Sequence, residues 1–570
     1  MGMRRSEIEA LTKRRRVVAA IDILFLVLLL AMFLIGLWLL LRTKPIVWVD
    51  LLYDDAYYYL GVVRGIVENG QSSFMPPFDT NGYQPLWLIF LVISGFVFGT
   101  SVTSLAIQAY VMCFLFVLIF LYLSYRHYGL VFPAIICAFA LPYIMLFGME
   151  TAMLPAFFIL FATSSGWAKR GISGSLLFLT RLDGIAVVLA RDVYFYVRQR
   201  ECDFRHYRII VPVILAYAAI NYSKFGIFLP VSGLVKAMGN IPGENFSVGF
   251  GYFRALGYAN MLFAIALLVL RARGKKLTEL RFFDEFMILL IACAMCIGYY
   301  SLNSGWPVWD WYYWAPFLLT YYALMEVVFA MDKLQISARP YSSIGLFLLV
   351  LFGVSQMLLP AIIAAGQRVV LLYHSSNINS LAMTFGRKNV ELADWIRRKS
   401  IPSHSFFAMG DRAGSFGYFL GRDFRFMHAE GLVGPVGYYQ AMRNNVAPDF
   451  INALDINYWI ADRERFLETR DIIGVIEPVQ ALSAHVGPYV ICFFKSGIIY
   501  DQSYTPAQYG PKHQHEIRYV FDMNKKTDCP AALVSRFAAL KNRYGGIRKY
   551  SLPFEYEDRS WFARMVNLPW

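Results

Sequence analysis

The apolar segment ILFLVLLLAMFLIGLWLLL, Ile23–Leu41, decides the fold class of this chain. It runs for 19 residues without a charge, which is long enough for a helix to cross about 30 Å of hydrocarbon. Six basic residues precede it: Arg4, Arg5, Lys13, Arg14, Arg15 and Arg16. Because basic residues accumulate on the cytoplasmic side of membrane helices, we expect a cytoplasmic N-terminus. The segment is too long for a signal-peptide core and no small-residue cleavage site follows, so we expect it to remain as a membrane helix.

The composition of the whole chain indicates the same class of protein. Of its 570 residues, 58% are hydrophobic and only 16% are charged, whereas a soluble domain usually has about 25% charged residues. This excludes a cytosolic enzyme and a disordered chain. The formal net charge of +14 is explained by basic cytoplasmic loops, so it does not indicate a nucleic-acid partner.

Further apolar segments predict a polytopic α-helical protein of the inner or plasma membrane, with about 9–11 transmembrane helices. The additional spans are expected at 102–124, 130–147, 151–167, 207–222, 251–270, 285–302, 313–330 and 342–364. Basic loops then all face the cytoplasm under two conditions. Pro85–Gly99 must lie along the outer face or re-enter it, as a juxtamembrane or re-entrant helix. The stretch 172–192, which Arg181 and Asp183 interrupt, must turn back as two half-helices.

Charged residues divide the chain into two domains. Residues 1–365 hold 48 of the 92 charged residues, and residues 366–570 hold 44 of them in only 205 positions. We therefore predict a transmembrane domain over 1–365, with a first outer loop at 43–84, and an extracytoplasmic soluble domain over 366–570.

The soluble part contains short apolar runs that are typical of a small α/β or α+β domain. We predict strands at Ser405–Gly410, Asp423–Met427, Asn457–Ala461 and Tyr489–Phe494, and a short helix at Ala413–Leu420. Cys492 and Cys529 are able to pair if this domain faces an oxidising compartment. Cys293 and Cys296 form a CxxC within an apolar segment, where we favour packing over redox or zinc chemistry.

The first outer loop carries two adjacent acids, Asp54 and Asp55, one turn beyond a membrane helix, where a lipid headgroup would lie. Such a pair can supply a general base and a carboxylate that orients it. The alternative is a solvated acidic pair that favours a helix N-terminus through the helix dipole.

The context of these acids resembles the bacterial GT-C superfamily of polyprenyl-phosphate-sugar glycosyltransferases, in particular the branch of the aminoarabinose, arabinofuranosyl and protein mannosyl transferases. The matching pieces of the first loop are Asp54-Asp55-Ala56-Tyr57-Tyr58-Tyr59, Val63-Arg64-Gly65-Ile66-Val67-Glu68-Asn69-Gly70 and Thr80-Asn81-Gly82-Tyr83-Gln84-Pro85-Leu86-Trp87. Weaker matches are Gly148-Met149-Glu150-Thr151, Thr180-Arg181-Leu182-Asp183-Gly184, Phe225-Gly226 through Leu229-Pro230 to Lys236, Gly410-Asp411-Arg412-Ala413-Gly414 with Gly417-Tyr418, and Glu430-Gly431-Leu432-Val433. His428 stands where the family tends to carry an acid, and we assign it no role.

The resemblance implies an inverting glycosyltransferase that takes a sugar from a polyprenyl-phosphate donor in the membrane. It transfers the sugar to a cell-envelope acceptor (a glycan, a lipid or a protein) on the outer face. The family's base, which takes the proton of the acceptor hydroxyl, matches Asp54, with Asp55 as its orienting partner, or the reverse; we prefer Asp54. A divalent cation is possible in this family, but no ligand spacing in the chain demands one, and the metal ligands are unknown.

Two cations are candidates for the lipid phosphate, because a leaving phosphate departs more easily when positive charge meets it. They are Lys236, in an outer loop, and Arg181, whose planar guanidinium suits phosphate. The alternatives are an internal ion pair of Arg181 with Asp183, and snorkelling of Lys236 to the headgroups.

Four further residues are candidate contacts to the sugar or the acceptor: Glu150, Tyr83, Gln84 and Asp310. Glu150 is equally explained as a first-turn acid of the following helix. Asp310 lies in an aromatic segment that also fits the belt of rings at a membrane interface.

Two other classes of function remain open. A lipid-carrier flippase or transporter would need paired inverted halves with ionisable residues near the midplane, and we see no internal symmetry in the sequence. A non-catalytic protein of cell-envelope assembly would leave the Asp54–Asp55 pair merely solvated.

Overall fold

The fold is seen in a computed structural model of the chain. It describes residues 5–129, 148–200, 203–238, 281–304, 306, 312, 314–332, 384–463, 466–477, 488–502 and 518–545. The described residues up to 332 are helices and their connections, and strands occur only after residue 405. A helical first part followed by a part that contains sheets agrees with the predicted fold class.

The first part contains twelve helices within its described ranges. They are α1 (Arg5–Arg42), α2 (Pro45–Trp48), α3 (Asp54–Asn69), α4 (Pro85–Phe98), α5 (Val102–Tyr128), α6 (Leu154–Ala162), α7 (Trp167–Thr180), α8 (Ile185–Gln199), α9 (Tyr207–Phe225), α10 (Val231–Lys236), α11 (Phe283–Asn303) and α12 (Trp314–Asp332). The predicted spans 102–124, 207–222, 285–302 and 313–330 fall within α5, α9, α11 and α12, allowing for a residue at the start of α12. The predicted spans 130–147, 251–270 and 342–364 lie outside the described residues, as does the predicted domain boundary at 365.

The helices α5 and α11 are both long and apolar enough to cross a membrane, and they are the two that meet this test in the described part of the chain. Large apolar side chains point outward from several helices: Ile23 on α1, Phe96 and Phe98 on α4, and Leu115 on α5 are all at least half exposed. A water-soluble protein rarely presents such contiguous apolar surface, so this pattern favours lipid as the surrounding solvent.

The break predicted near Arg181 is present, and the helical segment predicted at about 151–167 is present but ends earlier, at Ala162. The helices α7 and α8 meet at Arg181–Gly184, as two half-helices require. The span at 151–167 instead begins with a single 3₁₀ turn, Glu150–Met153, and its helix α6 ends at Ala162. The polar sequence Ser164-Ser165-Gly166 ends the apolar run, and Gly166 adopts a positive φ of 91° that starts α7 in a new direction.

The second part contains two sheets and five helices among its described residues. The helices are α13 (Phe385–Arg398), α14 (Gly414–Leu420), α15 (Val436–Arg443), α16 (Ala447–Asn452) and α17 (Ala531–Gly545). The strands are β1 (Phe406–Met409), β2 (Arg425–His428), β3 (Tyr458–Asp462), β4 (Phe466–Glu468), β5 (Ile472–Glu477), β6 (Tyr489–Phe494), β7 (Ile498–Asp501), β8 (Arg518–Asp522) and β9 (Lys526–Thr527). All four predicted strands and the predicted helix are present, with ends that differ by at most two residues.

The larger sheet has the order β2-β1-β3-β8-β7, and the smaller antiparallel sheet has the order β4-β5-β6-β9. Cys492 of β6 forms a disulfide with Cys529, which precedes α17. In the larger sheet, β1 is parallel to both β2 and β3. Their carboxyl ends therefore lie at one edge, where open α/β sheets usually bind ligands.

Two acids of the segment 43–84 attach this second part to the first. Asp50 accepts hydrogen bonds from Thr384 Oγ1 at 2.8 Å and pairs with Arg387 Nε at 3.2 Å, at the start of α13. Asp54, four residues later, is the first residue of α3, and its side chain contacts the start of α14, which packs along α3. The carboxyl edge of the sheet is thereby held against the N-terminus of α3.

Candidate active site between the helices and the sheet

Asp54 is bonded through both carboxylate oxygens. Its Oδ2 accepts from the backbone N–H of Gly414 at 2.8 Å, and its Oδ1 accepts from the N–H and the hydroxyl of Ser415 at 2.8 and 2.5 Å. The first N–H groups of a helix have no partner within that helix, so a carboxylate there stabilises it. Asp54 therefore caps α14 from 360 residues away in sequence. Burial raises the pKa of Asp54, and these hydrogen bonds oppose the rise.

Asp55 has a different environment. Its half-buried carboxylate forms no hydrogen bond with the residues that the structure describes. Burial raises the pKa of Asp55 to about 7; Lys236 lowers it, while Asp54, Glu150 and Asp411 raise it further. A carboxyl group that is partly ionised near neutral pH and has no hydrogen bond to the described residues can accept a proton from a ligand. Asp55, and not Asp54, the residue preferred from sequence, therefore has the environment expected of a candidate base.

Lys236 is the last residue of α10 and lies close enough to Asp55 to interact electrostatically. Its Nζ donates to Tyr312 Oη at 2.8 Å and lies 5.3 Å from the centroid of that ring. Burial lowers the pKa of Lys236, but Tyr312 and Asp55 outweigh it and hold the pKa above its usual value. Lys236 is therefore a cation beside Asp55.

The position of α10 depends on Asn81, a residue that sequence reasoning quoted but gave no role. Its buried amide donates to Asn221 Oδ1 at 2.8 Å, and its Oδ1 accepts from the N–H of Val231, the first residue of α10, at 2.9 Å. Asn81 thus joins the segment 43–84 to α9 and to the start of α10, the helix that ends at Lys236. Its place in the Thr80–Trp87 motif was the only signal in the sequence.

Arg181 binds two acids of its own chain. Its Nη1 donates to Glu150 Oε1 at 2.8 Å, and Nε and Nη2 donate to the two oxygens of Asp183 at 3.0 and 3.1 Å. Asp183 also accepts from Tyr300 Oη at 2.5 Å and from Trp314 Nε1 at 3.2 Å. The alternative considered for Arg181, an internal ion pair with Asp183, is the arrangement that the structure contains. Three of its N–H groups are turned toward carboxylates rather than toward a ligand.

The candidate sugar contacts are also largely bonded within the protein. Glu150 is buried and accepts from Tyr59 Oη at 2.9 Å as well as from Arg181. Gln84 donates its backbone N–H to Tyr59 Oη at 3.1 Å and accepts from the N–H of Leu182 at 3.4 Å. Tyr83 shares a hydrogen bond of 2.8 Å with Ser72. Asp310 lies outside the described residues.

The sheet supplies residues that sequence reasoning did not select. His428, the last residue of β2, is buried, and its Nε2 lies 2.8 Å from Tyr58 Oη and 3.5 Å from Glu430 Oε2. Asp411 follows β1 and acts electrostatically on both Asp55 and Tyr58. These residues come from the carboxyl ends of two parallel strands, and only the Gly410–Gly414 and Glu430–Val433 motifs hinted at them.

Tyr312 connects the two cations. The Arg181 guanidinium lies 4.8 Å and the Lys236 ammonium 5.3 Å from its ring centroid. Tyr300 packs edge-on against the same ring at 5.0 Å. Because cations are attracted to aromatic faces, Tyr312 holds Lys236 at a defined place relative to the Arg181–Asp183 pair. Within the described ranges, no group of three or more His, Cys, Asp or Glu side chains is arranged to hold a metal ion.

No protein-family model matches the chain, and no curated relative matches it by sequence. Among solved structures, it is similar to ArnT from Cupriavidus metallidurans bound to undecaprenyl phosphate, with 14% identity over 77% of this chain and 92% of that chain and a TM-score of 0.48. It is also similar to the apo state of the same protein, with 14% identity, 76% and 92% coverage and a TM-score of 0.43. At these values neither match assigns a family to the chain or a role to a residue.

Proposed function

We propose that this chain is a membrane glycosyltransferase that moves a sugar, with inversion, from a polyprenyl-phosphate donor to a cell-envelope acceptor. The observation that carries the proposal is the pair formed by Asp55 and Lys236. A carboxyl group with a pKa of about 7 and no hydrogen bond to the described residues stands beside a cation held by Tyr312. An acceptor hydroxyl and a lipid phosphate are the two substrates that such a pair can serve together.

In the proposed reaction, Asp55 takes the proton of the acceptor hydroxyl as its oxygen attacks the anomeric carbon of the sugar. The bond between that carbon and the phosphate oxygen breaks, and its electron pair leaves with the phosphate. Attack from the face opposite the leaving group inverts the anomeric centre. Lys236 stabilises the negative charge that grows on the phosphate, which is worth most in a site that excludes water.

The other charged residues of the site then have supporting roles. Asp54 seats α14 on α3 and so holds the carboxyl edge of the sheet over Asp55. Arg181 neutralises Glu150 and Asp183 and contacts the ring that orients Lys236. We propose that the acceptor enters between α3 and the edge that carries Asp411, His428 and Glu430, since that edge is the part of the sheet nearest the base.

The test is transfer from a panel of radiolabelled polyprenyl-phosphate sugars to crude envelope acceptors by the purified protein in detergent. Asp55→Asn removes the base and should lower transfer by about 10²-fold or more. Asp79→Asn is the matched control, because Asp79 is an exposed acid of the same loop. It should transfer at the wild-type rate.

Undiminished transfer by Asp55→Asn would contradict the assignment of the base. A transporter or an assembly protein predicts another result: the wild type transfers no sugar from any donor of the panel, while it still moves a labelled lipid carrier across vesicles or binds its partners. Thermal unfolding of both variants shows whether a lost activity reflects a lost fold.

A further inference from the structure

A second charged region lies at the ends of α7 and α8 that point away from Asp55. The helix α7 ends at Thr180, beside Arg181, and begins at Trp167. Its 14 residues place the two ends about 20 Å apart at 1.5 Å per residue. The far ends of α7 and α8 meet the 3₁₀ turn Phe204–His206 and the start of α9. This region has no part in the proposed transfer reaction.

An open cleft of about 500 Å³ lies there, lined by Asp203, Phe204, Arg205 and Arg208. Its single acid is occupied by cations of the protein: Asp203 receives two bonds from Arg205, at 2.8 and 3.2 Å, and lies 3.8 Å from Arg170. Two guanidinium groups, those of Arg205 and Arg170, thus flank this carboxylate, and that of Arg208 lines the same cleft. The cleft keeps an excess of positive charge.

The cleft is built on a fixed frame. The buried His206 forms a hydrogen bond between its Nδ1 and the carbonyl of Asp203 at 2.7 Å, and its Nε2 lies 3.1 Å from Asp192 Oδ2. Asp203 in turn accepts from the backbone N–H of Arg205 at 3.1 Å. The turn that carries Arg205 is therefore held before any ligand arrives, which lowers the entropic cost of binding.

One guanidinium that lines the cleft is available to an anion, and a second one behind it has an unused but buried N–H group. Arg208 is exposed and forms no ion pair or hydrogen bond within the described part of the chain. Nε of Arg170 is buried and has no hydrogen-bond partner among the described residues. A guanidinium presents its N–H groups in a planar fork that matches a phosphate group.

Apolar side chains continue from the cleft along one face of α9. Arg208, Val211 and Leu215 are spaced three and seven residues apart, so they lie on the same side of the helix. Val211 is 44% and Leu215 62% exposed, and Phe204 at the cleft is 60% exposed. A cation at one end of an exposed apolar face matches a headgroup that is followed by acyl chains.

We infer that the cleft at Asp203–Arg208 binds the anionic headgroup of a membrane phospholipid, with its acyl chains along Val211 and Leu215. Arg205 and Arg208 hold the phosphate, and Asp203 orients Arg205. A free phosphate ion would share the headgroup chemistry but would make no use of the apolar face of α9.

The test uses the full chain in detergent and measures the apparent affinity for phosphatidylglycerol by native mass spectrometry and by the lipid-induced rise in the unfolding temperature. Arg208→Gln should weaken phosphatidylglycerol binding about tenfold, the loss expected for one charge-assisted contact. Leu215→Gln keeps every charge and should also weaken it. Arg126→Gln, which removes an exposed arginine of α5, is the matched control and should leave binding unchanged.

Three outcomes would overturn the inference. Equal binding by Arg208→Gln and Arg126→Gln would show that bulk positive charge, and not the cleft, attracts the lipid. An equal rise in unfolding temperature with phosphatidylcholine would show that the anionic group is irrelevant. An equal rise with inorganic phosphate alone, unaffected by Leu215→Gln, would identify a soluble-anion site instead of a lipid site.

Discussion

Asp54 and Ser415 are 361 positions apart in sequence and are joined by two hydrogen bonds to one carboxylate oxygen, from the serine N–H at 2.8 Å and from its hydroxyl at 2.5 Å. The contact fixes the start of α14, and with it the carboxyl edge of the larger sheet, on the first turn of α3. Asp55, the residue that follows Asp54, forms no hydrogen bond with the described residues.

Removing the Ser415 hydroxyl should loosen this attachment. Ser415→Ala keeps the backbone bond but loses the hydroxyl bond to Asp54 and the bond that the hydroxyl accepts from Asn389 at 2.7 Å, so we expect the free energy of unfolding to fall by about 1–3 kcal/mol. Denaturant unfolding in detergent measures the change. Ser403→Ala, at an exposed position before β1, should be neutral, and an equal effect of the two changes would show that the Asp54–Ser415 bond is not stabilising.

Asp55 should make the protein less stable as the pH rises. Its pKa is about 7 in the folded chain and about 4 when unfolded, so between these values the folded state retains a proton that the unfolded state has lost. Stability therefore falls as pH rises through this window. Asp55→Asn should be more stable than the wild type at pH 8, by about 1–2 kcal/mol after allowance for partial exposure, and similar to it at pH 4.

Unfolding temperatures of the two proteins across this pH range measure the difference. Asp79→Asn, in the same loop, should follow the wild-type curve. A constant offset of Asp55→Asn at all pH values would mean that the effect is one of packing and not of ionisation.

Lys236 should set the pH at which transfer begins. Because transfer needs ionised Asp55, activity should rise through about pH 7 and level off above it. Lys236 lowers the pKa of Asp55, so Lys236→Gln should move the midpoint to higher pH and also lower the maximal rate by about 10²-fold. Lys236→Arg keeps the positive charge, so the midpoint of its rate–pH profile should stay close to that of the wild type. Rate–pH profiles of the variants test this. Lys224→Gln, which changes an exposed lysine at the end of α9, is the control. If the midpoint of Lys236→Gln were the same as that of the wild type, Lys236 would not influence the ionisation of Asp55.

Arg181 should be required for stability more than for binding of the donor. Arg181→Gln leaves Glu150 and Asp183 without their cation, and breaking a buried ion pair costs about 3–5 kcal/mol. We expect a large fall in unfolding temperature, and partial rescue in Glu150→Gln/Arg181→Gln, where less uncompensated charge is buried. If Arg181→Gln folded normally and only raised KM for the donor, Arg181 would be a phosphate ligand, as the sequence suggested.

Much of the fold follows from local patterns. The apolar runs at α5, α11 and α12, the break at Arg181 and the strands β1, β2, β3 and β6 were all predicted, because each depends on a contiguous stretch of residues. The pairing of Cys492 with Cys529 was also anticipated. The length of α6 was predicted wrongly, since hydropathy summed over a window does not register the turn at Ser164–Gly166.

The candidate site was predicted as a set of residues but not as a set of roles. The sequence was enough to predict a membrane protein with two adjacent acids in a loop. Its evidence was the apolar segment Ile23–Leu41, the composition and the Asp54–Asp55 motif. Hydrophobicity and local charge depend on residues that are neighbours in sequence. The roles depend on other parts of the chain. The N-terminus of α14 binds Asp54 and not Asp55, Tyr312 holds Lys236, and Glu150 pairs with Arg181. These lie far away in sequence, and hydrogen bonds and desolvation act through space, so only the tertiary structure decides them.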